Sequence, residues 1–200
     1  MGEQRVPSSL GDKLRGMLIQ PNQTMATMAP NLGEGVLVVV GLIVTAGIRA
    51  ALEVAYTAGV GNAGLAIAGA AIGITMAWVG LTALLHLIAR ALGGAGSYRI
   101  LLALMGYAAI PMIVTALVSM VIYIISPVLL PNLGGAGWGP LHTLIGWIGM
   151  AWGWPGLLSY YALRHGERLS SGKAGGIVVV VYVLLLLGWF LPVLAPGLFE

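Results

Sequence analysis

Five runs of about 20 apolar residues constrain this chain more than any motif in it, because a helix of that length crosses the roughly 30 Å hydrocarbon core of a bilayer. They fall at residues 35–56, 64–89, 100–125, 141–163 and 176–194, separated by breaks that carry glycine and proline. With 59% hydrophobic and 8% charged residues and a mean hydropathy of +0.99, the chain has too little polar surface to coat a soluble fold of 200 residues. Helices are the spanning structure that fits. No run shows the alternation of a barrel strand, and isolated strands would leave backbone groups unpaired in lipid. The expected fold is all-α, a polytopic membrane bundle of five transmembrane helices.

Direction follows from the basic residues. Arg5, Lys13 and Arg15 precede the first run, Arg90 and Arg99 bracket the second connection, and Arg164, Arg168 and Lys173 lie in the fourth. All eight fall on one side, so the positive-inside rule predicts a multi-pass protein of the cell membrane with a cytoplasmic N-terminus and an external C-terminus. Residues 1–33 are expected to be a cytoplasmic segment and 34–200 a five-helix membrane domain. The first 33 residues are mostly polar and lack the apolar core of a cleaved signal, so the chain is expected to keep its N-terminus. Within them Ser9 is positioned to cap a short amphipathic helix, with Leu10, Leu14, Met17 and Leu18 on one face and Asp12, Lys13 and Arg15 on the other. Such a helix lies on the membrane surface or docks a partner, and Pro21 ends it.

Small residues spaced four apart, Gly69, Gly73 and Ala77 in the second run and Gly149 and Gly153 in the fourth, read as close helix packing, as chance spacing in a chain with 31 glycines, or as a face for a homo-oligomer. Pro111 and Pro155 sit within the third and fourth runs, where each removes a backbone donor and predicts a kink. Trp138, Trp147, Trp152, Trp154 and Trp189 suit the headgroup level or the fourth run.

Chemistry has few candidates. The formal charge of +3 is too small to suggest nucleic acid, and with no cysteine there is no thiolate site and no disulfide. His86, His142 and His165 are scattered, without a metal-site spacing or a paired-carboxylate motif, and no serine has a nucleophile-elbow context. No enzyme, cofactor or metal is expected. Arg49 and Glu53 form the one charged pair inside a run, four residues apart on one helix face. They read either as a structural pair that snorkels to water or as part of a polar path. The stretch Arg90, Gly93, Gly94, Gly96, Ser97 and Arg99 lacks the lysine and spacing of a phosphate loop. It predicts a re-entry turn ending at Ser97 as helix cap, whose amides and arginines can contact an anionic lipid headgroup or a membrane-protein partner.

The run "HLIARALGGAGSYRILLALMGYAAIP", with its basic turn, Gly106–Tyr107 step and Pro111, resembles the Yip1 family of five-span membrane proteins. "LIQPNQTM" is similar to that family's lead-in to the first span, and "SYYALRHGERLSSGKA" to its last cytoplasmic loop. The resemblance implies the same topology. In eukaryotic members it goes with vesicle trafficking, membrane shaping and small GTPases. This chain has neither their long N-terminal region nor the Asp-Leu-Tyr-Gly-Pro motif, and is more similar to compact prokaryotic members.

Two function classes follow. The first is a non-enzymatic scaffold or adaptor of the Yip1 type, acting in membrane organisation or trafficking through lipid or protein contacts on its cytoplasmic face. The second is a small transporter, channel or lipid-moving protein with Arg49 and Glu53 in a polar path.

Overall fold

A computed structural model of the chain describes residues 9–125 and 153–194. Among these every regular element is helical: α1 (Leu10–Ile19), α2 (Pro21–Thr27), α3 (Leu32–Ala58), α4 (Ala63–Ala91), α5 (Tyr98–Tyr107), α6 (Ile110–Ile125), α7 (Trp154–Gly166) and α8 (Ser171–Leu194), with one 3-10 turn at Val60–Asn62. Four stretches among the described residues are long and apolar enough to cross a membrane: Leu32–Ala55, Val60–Ala91, Tyr98–Val118 and Ser171–Gly188. The fourth predicted span, 141–163, falls mostly outside the described residues, and its end lies in α7. Arg5, Trp138, His142, Trp147, Gly149, Trp152 and Glu200 also lie outside them.

Local chemistry sets the helix ends. Ser9 and Asp12 make a reciprocal capping box at the start of α1, with Asp12 N–H donating to Ser9 Oγ at 3.1 Å. Gln20 precedes Pro21, which opens α2 where a missing donor costs nothing. α1 and α2 fold against each other so closely that a side chain at Gly16 would overlap Thr24. Asn31 caps α3 by accepting from Gly33 N–H at 2.8 Å. α3 ends at Gly59, whose φ of +83° turns the chain back into α4.

α3 packs along α4, α5 and α6, while α7 packs on α5 and α8. α5 is the wedge of the bundle. Leu101, Leu104, Gly106 and Tyr107 are buried among α3, α4 and α7. Gly106 lies so near α3 that an added Cβ would sit 2.7 Å from the Gly35 carbonyl oxygen and 2.8 Å from its Cα. The helix is interrupted at Ala108 and Ala109, and Pro111 is the second residue of α6, where its missing N–H is already one of the unpaired donors of a helix start. Pro155 holds the equivalent place in the first turn of α7. Outward, large apolar residues such as Leu37 at 61%, Leu65 at 75%, Met76 at 70% and Leu184 at 62% exposure form the surface expected against lipid.

Two residue-level expectations differ. Lys13 does not share the outer face of α1 with Asp12. It is 5% exposed and lies on the inward row with Leu10, Leu14 and Met17, whereas Leu18 is 41% exposed. Gly69 and Gly73 face open space, with no atom of another described element within contact of a Cβ at either position. The close glycine approach is instead Gly35 on Gly106.

Candidate functional site

One end of the bundle collects most of the charged residues. There the connection between α4 and α5, the connection between α7 and α8, and the α1–α2 pair meet.

The glycine-rich connection is built as a helix stop. Gly94 N–H donates to Ala89 O at 2.8 Å and Gly93 N–H to Arg90 O at 3.1 Å, with Gly93 at φ +90°, the paired bonds of a Schellman cap. Gly94 lies against Ala89 O and the Glu167 carboxylate, and any side chain at Gly96 would overlap the Gly166 carbonyl. Ser97 caps α5 by accepting from Ile100 N–H at 3.3 Å. Ala95 N–H donates to Glu167 O at 3.0 Å, Arg90 Nη1 to Gly94 O at 3.2 Å, and Lys173 Nζ to Leu92 O at 2.7 Å. The last bond places a cation on the carbonyl end of α4, which its dipole favours. Gly93, Gly94 and one N–H of Arg90 are therefore taken up by backbone contacts and Gly96 is packed against Gly166, while Arg99 lines a separate cleft.

Two carboxylates are held inside this end. Glu167 has no exposed surface, and its Oε1 is 2.5 Å from His86 Nδ1 on α4. Its Oε2 has no hydrogen-bond partner among the described residues. The ring of Tyr98 meets His86 edge-on, with centroids 5.7 Å apart. Glu34, in the first turn of α3, pairs with Lys13 Nζ at 2.7 Å and accepts the hydroxyl of fully buried Tyr107. Lys13 Nζ also donates to Ala29 O at 3.3 Å. α1 is thereby tied to α3 and α5.

A second tie joins α2 to α7, where His165 Nε2 lies 2.9 Å from Asn22 Oδ1, an acceptor, so the ring donates. Burial of His165, and then the neighbouring Arg164 charge, push its pKa below the ordinary 6.5. Because the unfolded state binds that proton more readily, His165 favours the docked state fully above about pH 6.5 and less as pH falls from there through its lowered value. Hydrogen exchange of α2, corrected for intrinsic rates, is therefore expected to be faster at about pH 5 than at about pH 8, with the difference shrinking in His165→Gln.

The charge balance is uneven. Asp12 is engaged with Ser9, Glu34 with Lys13, and Glu167 with His86. Arg15, Arg99, Arg164 and Arg168 have no acidic partner among the described residues. Arg168 is also held at φ +56°, a left-handed conformation uncommon outside glycine and asparagine. Arg49 and Glu53 sit apart from this end on α3. They form a 3.1 Å ion pair with side chains 42% and 45% exposed. Among the described residues no three potential metal ligands gather.

Sequence reasoning passed over Glu34, Glu167, Tyr107 and the inward turn of Lys13. The available signal was scarcity: with six acidic residues in the chain, two at the margins of apolar runs mark positions where charge must be paired.

The helices and their apolar exterior define a polytopic α-helical membrane protein, closed at one end by a knitted polar joint. A family model described as the Yip1 domain matches residues 15–191, and the chain belongs to the Yip1 family. No curated protein and no solved structure matches it.

Proposed function

We propose that the chain is a non-enzymatic scaffold or adaptor of the Yip1 type, which organises membrane through contacts of its basic end with anionic lipid or a membrane-protein partner on the cytoplasmic side. The observation that carries this reading is the surplus of arginines. The acids described at this end are engaged within the protein, which leaves Arg15, Arg99, Arg164 and Arg168 to attract an outside anion. Juxtamembrane cations each add about 1 kcal/mol of attraction to an anionic leaflet. In this reading the bundle has five spans, with 141–163 as the fourth, the basic end is cytoplasmic and Glu200 is external.

The absence of cysteine makes the test direct. Single cysteines at Arg168 and at Gly61 are loaded with a photocrosslinker in native membranes. Arg168→Cys is expected to capture anionic lipid or one reproducible protein and to react with impermeant reagents only after permeabilisation. Gly61→Cys is expected to react from outside. Recovery of neither lipid nor a partner at position 168, or outside access to it, refutes the reading.

A further inference from the structure

A cleft of ≈ 490 Å³ opens between α1, the linker before α3 and the start of α5, with Lys13, Pro30, Asn31, Leu32, Arg99 and Ile100 in its lining. Its size suits a small ligand, since such sites run about 300–1,000 Å³. Its walls differ in character. On one side an ammonium has three N–H donors, of which Glu34 and Ala29 O take two from Lys13, so one remains. Arg99 adds an exposed guanidinium with no acidic partner among the described residues. On the other side Pro30, Leu32 and Ile100 are apolar, and Ile100 is 39% exposed. A cleft with the unpaired Arg99 guanidinium beside the Glu34-paired Lys13 ammonium on one wall and apolar side chains on the other suits a ligand whose anion is joined to hydrocarbon.

We propose that this cleft binds one anionic phospholipid, with Arg99 donating to the phosphate oxygens, Lys13 giving its third N–H, and the glycerol end resting on Leu32 and Ile100. This deepens the reading above and rests on it. It also moves the specific contact away from the glycine-rich turn, where Gly93, Gly94 and Ala95 N–H already have backbone acceptors. The remaining arginines then form a diffuse electrostatic rim, and Arg99 belongs to a defined site.

The test uses the full chain in phosphatidylcholine nanodiscs, titrated with short-chain phosphatidylglycerol and, separately, with inorganic phosphate. Saturable binding of one phosphatidylglycerol per chain is expected. Arg99→Gln should weaken it about tenfold or more, the effect of losing a charged hydrogen bond. Ile100→Trp should block it with both cations intact, and Arg168→Gln should leave it within about twofold. Equal binding in Arg99→Gln and the unaltered chain, or no saturation, overturns the proposal. Displacement of the lipid by inorganic phosphate at matching concentrations overturns the lipid as ligand and assigns the cleft to free phosphate. If the cleft fails while anionic lipid still purifies with the chain, the site alone is wrong; if both fail, the underlying reading falls with it.

Discussion

Gly106→Ala is expected to destabilise the bundle by about 3 kcal/mol or more, at the upper end of overpacking effects, although it adds one methyl group. The new Cβ would meet the Gly35 carbonyl oxygen, Cα and carbonyl carbon at 2.7, 2.8 and 2.9 Å. These are backbone atoms of α3 and cannot rotate away, so α3 and α5 must separate. Separation is costly because α5 also packs on α4 and α7, where Leu104 Cδ1 lies against Gly166. Gly172→Ala is the control. Its position in the first turn of α8 is open, and alanine is favoured over glycine in a helix by up to about 1 kcal/mol. The thermal midpoint of purified protein should fall sharply for Gly106→Ala and hold or rise for Gly172→Ala. Equal midpoints would show that α3 and α5 do not approach this closely.

Lys13→Met has the second large effect. The substitution keeps most of the stem but leaves Glu34, whose side chain is 24% exposed, with Tyr107 as its remaining partner. Removing one member of a buried ion pair costs about 3–5 kcal/mol, and the residual water contact of Glu34 brings the expectation to about 2–3 kcal/mol. The loss should be local as well as global, because Lys13 ties α1 to α3: exchange in Leu10–Ile19 should accelerate more than in α8. The double variant Lys13→Met/Glu34→Gln should be more stable than Lys13→Met alone, since no lone charge then remains. A double variant less stable than the single would mean that the two residues do not act as a pair.

These two sites also mark how far the sequence could be read. Four of the five predicted spans were legible because apolar length is a direct consequence of bilayer thickness, and the break before Pro111 because a missing donor acts locally. The α1 cap was legible because Ser9 and Asp12 are three residues apart. Gly35 and Gly106 form no spacing pattern, being on different helices, whereas Gly69 and Gly73 form a pattern that meets open space. Lys13 lies on the periodic inward row, yet a lysine there is read as solvated until Glu34, 21 residues later, is seen to pair with it. Glu167 and His86 are separated by 81 residues. The turn that carries Arg90 through Arg99 was legible as a turn. That Arg90 bonds back to Gly94 O within the turn, whereas Arg99 is left without a partner among the described residues, depends on how the turn folds and not on its spacing.

The central claim is that the basic end recruits an outside anion, of which anionic lipid is the one the cleft fits, and the lipid that leaves the membrane with the purified chain measures this most directly. The unaltered chain should carry anionic phospholipid enriched over the bulk membrane. Arg15→Gln/Arg164→Gln/Arg168→Gln, which keeps the Arg99 cleft and removes about 3 kcal/mol of attraction, should fall to about one anionic phospholipid per chain, the one the cleft holds, while keeping its thermal midpoint. Lipid at the bulk composition in the unaltered chain, or enrichment unchanged in the triple variant, would contradict the account.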